Sequence, residues 1–257
     1  SLEANVGWRR STLNRGVFPS AGSSQSVGLK ATIPGSDLEY FKLNFDSKFY
    51  FPITRDHKWT FLTRLEFNYG NGYGTSNGHE QTLPFWENMQ QRSTDIRGFE
   101  SNSIGPKAIV RFKTPGEGAP DELGNTTDVL LGPEYDRLQV NSRSTGGNAS
   151  FFGGFELITP TPFVSDEFSN SVRTSIFVDV GNVWDTEFDL NDYSSLAEEQ
   201  RSQLVDYSDP GRYRASTGVS LQWLSPMGPM IFSWSKPLKE YENDRHEFFS
   251  FNIGTTF

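Results

Sequence analysis

Apolar and polar residues alternate along most of the chain with a period of two. Between Tyr213 and Trp223, every second residue carries an apolar or short neutral side chain, and most of the residues between them are polar. Strict alternation is typical of a β-strand with one apolar face, and helices do not produce it. A strand of this length, tilted by about 40°, rises roughly 25 Å, which is the height of the apolar band of a membrane barrel.

The same alternation predicts nine strands. A soluble β-sandwich also alternates, but its strands are usually shorter, at about five or six residues. Most of the strands here run close to ten residues, which favours an all-β fold of the antiparallel transmembrane β-barrel type. The predicted strands are Leu2–Arg10, Val27–Ile33, Phe41–Phe51, Trp59–Tyr69, Phe151–Leu157, Val172–Val180, Tyr213–Trp223, Met230–Trp234 and Glu247–Phe257.

The connections between the strands predict an orientation. Residues 70–148 and 185–212 form long connections, whereas Thr54–Lys58 and Ser225–Pro229 are tight turns. Membrane barrels have short periplasmic turns and long external loops. If the last strand ends in the periplasm, 70–148 is a long extracellular loop of a single partial barrel domain spanning 1–257. This assignment requires that Pro84–Gln91 belongs to the loop and is not a tenth strand.

Composition excludes several classes of function. The net charge is −9 and there is no cysteine, so neither a basic nucleic-acid footprint nor a disulfide framework is expected. The three histidines lie in polar, turn-like segments without metal-ligand spacing, and no metal or other cofactor is predicted. No apolar run is long enough for a transmembrane helix. The low mean hydropathy of −0.55 is compatible with a barrel, whose strands are apolar on one face only.

Several motifs are more specific than generic alternation. They are Ile96-Arg-Gly-Phe99 in the long loop, Phe155-Glu-Leu-Ile-Thr-Pro-Thr-Pro-Phe163, Phe177-Val-Asp-Val-Gly-Asn-Val-Trp184, Leu221-Gln-Trp-Leu-Ser-Pro-Met-Gly-Pro229 and Phe251-Asn-Ile-Gly-Thr-Thr-Phe257. Together these motifs closely resemble the BamA family, whose members are the central subunits of the barrel assembly machinery of Gram-negative bacteria. The resemblance covers nearly the whole chain.

The resemblance implies a sixteen-stranded outer-membrane barrel preceded by periplasmic POTRA domains, which this sequence lacks together with about seven N-terminal strands. It implies a non-enzymatic insertase that folds β-barrel proteins into the outer membrane. The implied partners are client β-barrel proteins, outer-membrane lipid and lipopolysaccharide, and lipoprotein subunits that bind mainly through the POTRA domains. A transporter of the two-partner-secretion type or a passive pore remains the alternative.

A candidate site follows from strand parity. Glu156, Phe177 and Asp179 fall on the lumen faces of adjacent predicted strands. Two like charges in a confined interior need a cation nearby, and Arg97 offers a planar fork of donors that suits carboxylates. In the resembling family this loop folds into the barrel, where its arginine meets the motif that matches Phe177 and Asp179. We therefore expect Arg97 to pin the loop to the wall.

Gly98 and Phe99 complete the predicted loop tip. Two other interpretations of Arg97 and the carboxylates compete with a structural role. Gly98 permits a sharp turn, and Phe99 is expected to pack inside the lumen. Without the family resemblance, Arg97 would be an ordinary loop arginine beside a turn glycine. A carboxylate pair beside a cation also fits a hydrolase, but neither a nucleophile nor a Gly-rich phosphate loop accompanies it.

The last predicted strand carries alternating apolar residues. One interpretation is a lipid-facing strand that closes the barrel, and the other is the recognition signal that client barrels carry. The resemblance to the BamA family implies both, with the last strand as a weakly held seam that can pair with incoming strands. An unpaired strand edge is a template for another chain. Nine strands leave two edges, which we expect a partner chain or further strands to cover. The residues assigned to this seam are Phe249, Phe251, Ile253, Gly254 and Phe257.

Overall fold

A computed structural model gives the fold of the chain. The two ends of the described part of the chain are Leu2 and Gly254. The structure describes residues 2–76, 79–112, 115–117, 128–130, 137–162, 164, 171–194, 198–202 and 204–254.

Strands dominate the described residues. Helical structure among these residues is limited to two 3₁₀ turns, at Phe85–Glu87 and Leu190–Tyr193, and one short helix, α1 (Glu198–Arg201). No helix in the described ranges is long and apolar enough to cross a membrane. The strands are β1 (Glu3–Ser11), β2 (Gly22–Thr32), β3 (Tyr40–Pro52), β4 (Thr60–Gly72), β5 (Thr75–Ser76), β6 (His79–Glu80), β7 (Lys107–Phe112), β8 (Pro115–Glu117), β9 (Asp128–Leu130), β10 (Arg137–Ser144), β11 (Ala149–Thr159), β12 (Val172–Trp184), β13 (Arg214–Ser225), β14 (Gly228–Lys239) and β15 (Phe249–Ile253).

Nine of these strands form one antiparallel sheet. Their order is β1-β2-β3-β4-β11-β12-β13-β14-β15, so each strand pairs with its neighbour in the chain except where the long connection joins β4 to β11. The prediction of an all-β antiparallel wall of nine strands is confirmed. Among the described residues β1 and β15 form the two edges and do not pair with each other.

The two faces of the sheet differ as the alternation predicts. Phe155 and Ile176 are each 54% exposed on the outer face. The inner face of the last strands carries small polar residues that are almost fully buried, among them Ser216, Ser220 and Ser233. Aromatic and β-branched residues suit the outer face of a pleated sheet, whereas small side chains leave room for a loop inside.

All nine strands of the sheet differ from their predicted bounds by one to five residues, and the largest differences are at β2 and β14. β2 begins at Gly22, not at Val27 as predicted. The prediction missed Ser23–Ser26 because this segment is polar on both faces and shows no alternation, yet it pairs with Asp46–Phe49 of β3. β14 continues to Lys239 through a register shift opposite Ala215 and Ser216, where Pro237 and two lysines hide the pattern. β15 ends at Ile253, and Phe257 lies outside the described residues.

The long connection begins after Gly72, because β4 continues three residues past its predicted end at Tyr69. It contains the short strands β5 to β10, which pair among themselves and stay outside the nine-stranded sheet. Phe85–Glu87 forms a 3₁₀ turn, so Pro84–Gln91 is not a tenth strand of the wall. An isolated bridge between Met89 and Gly147 closes the base of the connection.

Candidate functional site

The inner faces of β11 and β12 carry the two acidic residues singled out in the sequence. Glu156 pairs directly with Phe177, and Gly154 pairs with Asp179. Directly opposed residues of antiparallel strands point to the same face, which here is the inner one. The three side chains are almost completely buried, so the carboxylates of Glu156 and Asp179 share one enclosed space.

Arg97 enters this space from the long connection. Its Nε donates to Oδ2 of Asp179 at 2.7 Å and its Nη2 donates to Oδ1 at 2.9 Å. The same Nη2 lies 3.2 Å from Oε2 of Glu156. The guanidinium carbon stands 3.3 Å from the ring centroid of Phe177. A two-point arginine–carboxylate pair with a stacked ring fixes both position and orientation.

Charge balance explains how such an ion pair is tolerated without water. Arg97 is 0% exposed, and a buried charge is costly unless it is paired and hydrogen-bonded. Burial acts to lower the pKa of Arg97, but attraction to Asp179 and Glu156 outweighs burial and holds that pKa above its ordinary value. Arg97 therefore keeps its positive charge at neutral pH.

A second arginine, Arg64 on β4, completes the cluster. Its Nη2 lies 2.8 Å from Oδ1 of Asp179, and its Nη1 donates to the carbonyl of Thr94 at 2.8 Å. Two arginines thus face two carboxylates. Sequence analysis did not include Arg64 in the site, because only the pairing of β4 with β11 brings it opposite Gly154. Gly154 pairs with Arg64 on one side and with Asp179 on the other, and this register places Arg64 in the site.

Gly154 makes room for this arrangement. A Cβ at Gly154 would lie 2.5 Å from Nε of Arg64 and 2.8 Å from Oδ1 of Asp179. Contacts that short do not occur at real Cβ atoms. Any side chain at this position would push apart the ion pair between its two neighbours.

Glu156 is held from its other side by neutral groups. Ser175 Oγ donates to Oε1 of Glu156 at 2.5 Å, and Gln222 Nε2 donates to the same oxygen at 3.3 Å. Gln222 in turn accepts from Nε of Arg173 at 2.8 Å. The carboxylate is therefore enclosed by donors, an arrangement that supports a structural role rather than attack on a substrate.

Gly98 and Phe99 carry the loop past the ion pair. Gly98 has φ +94°, and a Cβ there would lie 3.3 Å from Cβ of Ser216 and 3.4 Å from Cβ of Ser235. Phe99 is fully buried and packs in a hydrophobic cluster inside the sheet. The other members of this cluster are Ile96, Ile104, Phe152 and Val183.

The loop tip also pairs with the segment that leads into the last strand. Glu100 N–H donates to the carbonyl of Arg245 at 2.9 Å, and the two side chains form an ion pair at 2.7 Å. Phe99 and His246 form an isolated antiparallel bridge and an edge-to-face ring contact. Residues 98–100 and 245–247 therefore form a short two-stranded zipper. Sequence reasoning missed the zipper, although His246 is exposed, as expected for a loop histidine.

A second clamp holds the same segment at Asp244. Both nitrogens Nε and Nη2 of Arg214, at the start of β13, donate to the carboxylate of Asp244 at 3.0 Å. Lys107 Nζ, at the start of β7, donates to the carbonyl of Asn243 at 2.5 Å. The Asp244 side chain is completely buried. Residues 240–248 are thus anchored to the wall and to the long connection.

The residues assigned to the seam lie on the outer face of β15. Phe249, Phe251 and Ile253 are exposed, and Phe251 stacks on Phe232 of β14 with ring centroids 4.9 Å apart. Gly254 follows the strand with φ +82°. Among the described residues, β15 pairs with β14 from Phe249 to Ile253.

The described residues form no group of three or more His, Cys, Asp or Glu side chains able to hold a metal ion. The structure thus brings Arg97, Glu156, Phe177 and Asp179 into one cluster with Gly98 and Phe99 beside it. The seam residues Phe249 to Gly254 form a separate feature, and the zipper joins the two along the chain.

Comparisons with known proteins agree with this geometry. The sequence profile of the Omp85 superfamily domain matches residues 1–257. The outer membrane protein assembly factor BamA of Neisseria meningitidis serogroup B is 30% identical over 265 residues, which covers 99% of this chain and 28% of that protein. A crystal structure of BamA from Haemophilus ducreyi lacking POTRA domains 1–3 superposes with a TM-score of 0.78 at 36% identity, covering 99% of this chain and 42% of that one.

Proposed function

Because the chain belongs to the Omp85 superfamily, we propose that it forms the C-terminal part of the barrel of an insertase that folds β-barrel proteins into the outer membrane. The observation that carries this proposal is the similarity to assembly factor BamA across 99% of the chain. The protein is located in the bacterial outer membrane. The chain spans 28% and 42% of the two relatives compared.

The driving force for insertion is the burial of client strands. Unpaired backbone N–H and C=O groups cost several kcal/mol each in lipid, so a client gains free energy as its strands pair and its apolar faces meet the membrane. The edge of β15 offers a template for such pairing. No nucleotide hydrolysis enters this mechanism, and we propose that the protein is not an enzyme.

The buried cluster of Arg97, Arg64, Asp179 and Glu156 acts as a strut. It fixes the tip of the long connection inside the sheet and, through the zipper, the segment that precedes β15. The partners that follow from this function are client β-barrel proteins and accessory lipoproteins, together with outer-membrane lipid and lipopolysaccharide. The role of the cluster is support, because both carboxylates are occupied by protein donors.

The proposed orientation places the long connection outside the cell and the tight turns in the periplasm. Since the chain has no cysteine, single cysteines report the topology cleanly. Asp192→Cys, in the 185–212 connection, should react with a membrane-impermeant maleimide on intact cells. Arg55→Cys, in the exposed turn at the opposite end, should react only after permeabilisation. The reverse result would invert the orientation.

Insertion itself is tested with the intact protein reconstituted in liposomes. Folding of a client barrel, followed by its resistance to heat denaturation in gels, should accelerate with the wild-type protein and much less with Arg97→Ala. An equal rate with and without the protein would refute the insertase proposal. A steady ion conductance in the absence of client would favour the alternative, a passive pore or secretion-type transporter.

A further inference from the structure

Two lysines point outward from the wall near the end of β14. Lys236 pairs with Thr217 and Lys239 pairs with Ala215 across the register shift. Ala215 and Thr217 share the outer face of β13 with Val219, which is exposed. Because opposed residues of an antiparallel pair point to the same side, both lysines project toward lipid rather than into the lumen.

The height of these lysines along the strand is marked by aromatic residues. Trp234, the outward residue preceding Lys236 on β14, packs on Phe249 with ring centroids 5.5 Å apart. Tyr213, at the start of β13, is exposed and its ring centroid lies 3.5 Å from Nζ of Lys239. Outer-membrane barrels carry aromatic girdles at both membrane interfaces. The lysines therefore lie at or just beyond the interface, on the rim where the long connection emerges.

Energetics supports that position. A lysine on the lipid face is strongly destabilising at the bilayer midplane but costs little near the interface. Two outward lysines are therefore tolerated at the interface, and anionic groups at that depth would stabilise their positive charges. Anionic groups at that depth belong to lipid headgroups.

The protein supplies additional positive charge at this rim. The guanidinium of Arg212 stands 4.2 Å from the ring centroid of Tyr241, and Nζ of Lys239 stands 5.6 Å from the same centroid. The neighbouring carboxylate of Glu240 lies 3.0 Å from Nε2 of His246. Across the part of the chain that the structure describes, no carboxylate lies within ion-pair distance of Lys236 or Lys239, so their charge is available to a ligand.

We propose that Lys236, Lys239 and Arg212, framed by Tyr213 and Tyr241, bind the phosphate groups of an anionic lipid in the outer leaflet. The assignment to that leaflet rests on the orientation given under Proposed function. Lysine binds phosphate as a point charge, and each lysine or arginine near a charged membrane surface contributes about 1 kcal/mol. The site lies beside Trp234 and Phe249, so the bound lipid would cover the start of the seam strand.

The test measures lipid binding directly, without client folding. The intact protein in detergent is titrated with bisphosphorylated lipid A, and bound lipid is counted by native mass spectrometry. The double variant Lys236→Gln/Lys239→Gln should bind lipid A about thirtyfold more weakly, since each of the two surface charges that are removed contributes about fivefold. The matched control Arg55→Gln/Lys58→Gln, in the exposed turn at the opposite rim, removes the same charge and should bind as the wild type does.

Further arms separate the ligand sources. Lipid A without its phosphates should bind the wild type about as weakly as lipid A binds the double variant, and inorganic phosphate at equal concentration should not displace lipid A. Wild-type affinity in the double variant, equal binding of the dephosphorylated lipid, or displacement by inorganic phosphate would each overturn the proposal. If the double variant fails to fold, Lys236→Gln alone must still weaken binding about fivefold. A negative result leaves the insertase proposal intact, because no client is present.

Discussion

The backbone N–H of Glu247 donates a hydrogen bond to the carbonyl of Gly98 at 3.1 Å. Gly98 follows the buried Arg97, and Glu247 lies two residues before β15. One hydrogen bond therefore joins the residue next to the lumen ion pair to the approach of the last strand. The geometry of the lumen cluster and that of the seam are linked through a few residues of backbone.

Arg97→Ala should destabilise the fold strongly. Removal of one partner from a buried ion pair leaves uncompensated charge and typically costs about 3–5 kcal/mol; because Arg64 still contacts Asp179, we expect the lower end, about 3 kcal/mol. Unfolding in urea, followed by tryptophan fluorescence, measures the difference. The free energy of unfolding of Arg97→Lys should fall between those of the wild type and Arg97→Ala, since lysine keeps the charge but cannot make the two-point contact.

Arg55→Ala in the exposed turn provides the control for Arg97→Ala and should change the free energy of unfolding by less than about 0.5 kcal/mol. If Arg97→Ala changes it no more than Arg55→Ala does, the strut role is wrong.

Gly98→Ala should weaken the docking of the loop tip. A positive φ of 94° is strained for any residue with a Cβ, and that Cβ would crowd Ser216 and Ser235. We expect a loss of about 1–2 kcal/mol and faster hydrogen exchange at the amides of residues 98–100. Gly28→Ala is the matched control, because nothing lies within 4 Å of a Cβ there. Equal exchange in both variants would contradict the docking argument.

The zipper should be trapped by a disulfide between Glu100→Cys and Arg245→Cys. These residues lie opposite each other beside the bridge between Phe99 and His246, and a hydrogen-bonded antiparallel pair has Cα atoms about 5.5 Å apart, within disulfide range. Mild oxidation of the folded protein should give a complete cross-link, seen as a mobility shift that reductant reverses.

The matched pair Glu100→Cys/Glu242→Cys, which shares one cysteine with the zipper pair but lacks its opposed register, is the control and should cross-link poorly. Equal cross-linking of both pairs, or none in the zipper pair, would show that the zipper does not persist in solution.

The zipper should also respond to pH through Glu247. Burial, and then repulsion from Glu100, raises the pKa of Glu247 above its ordinary 4.5. The folded state therefore favours the protonated carboxyl, and stability is lost as pH rises from about 4.5 through the folded-state pKa. Glu247→Gln should raise the melting temperature at neutral pH and lose that advantage below pH 4. An advantage that does not change with pH would rule out this titration.

Much of the wall could be predicted because each of its strands has an outer apolar face and a polar inner face. The same parity placed Glu156, Phe177 and Asp179 together, and the charge of Arg97 supplied their counterion. Ser23–Ser26 escaped because strand pairing there depends on its neighbour and not on apolar residues. The role of Arg64 and the zipper escaped because both depend on which strands and loops meet, which no local pattern encodes.

The zipper restricts how the seam strand can slide. A shift of β15 along β14 by two residues keeps each side chain on its own face but displaces the chain by about 6.6 Å. That distance is far beyond the reach of the hydrogen bonds between residues 98–100 and 245–247. The final strand can therefore change register only if the lumen loop withdraws or the segment before β15 rearranges. The position of the loop thus limits which registers β15 can adopt along β14.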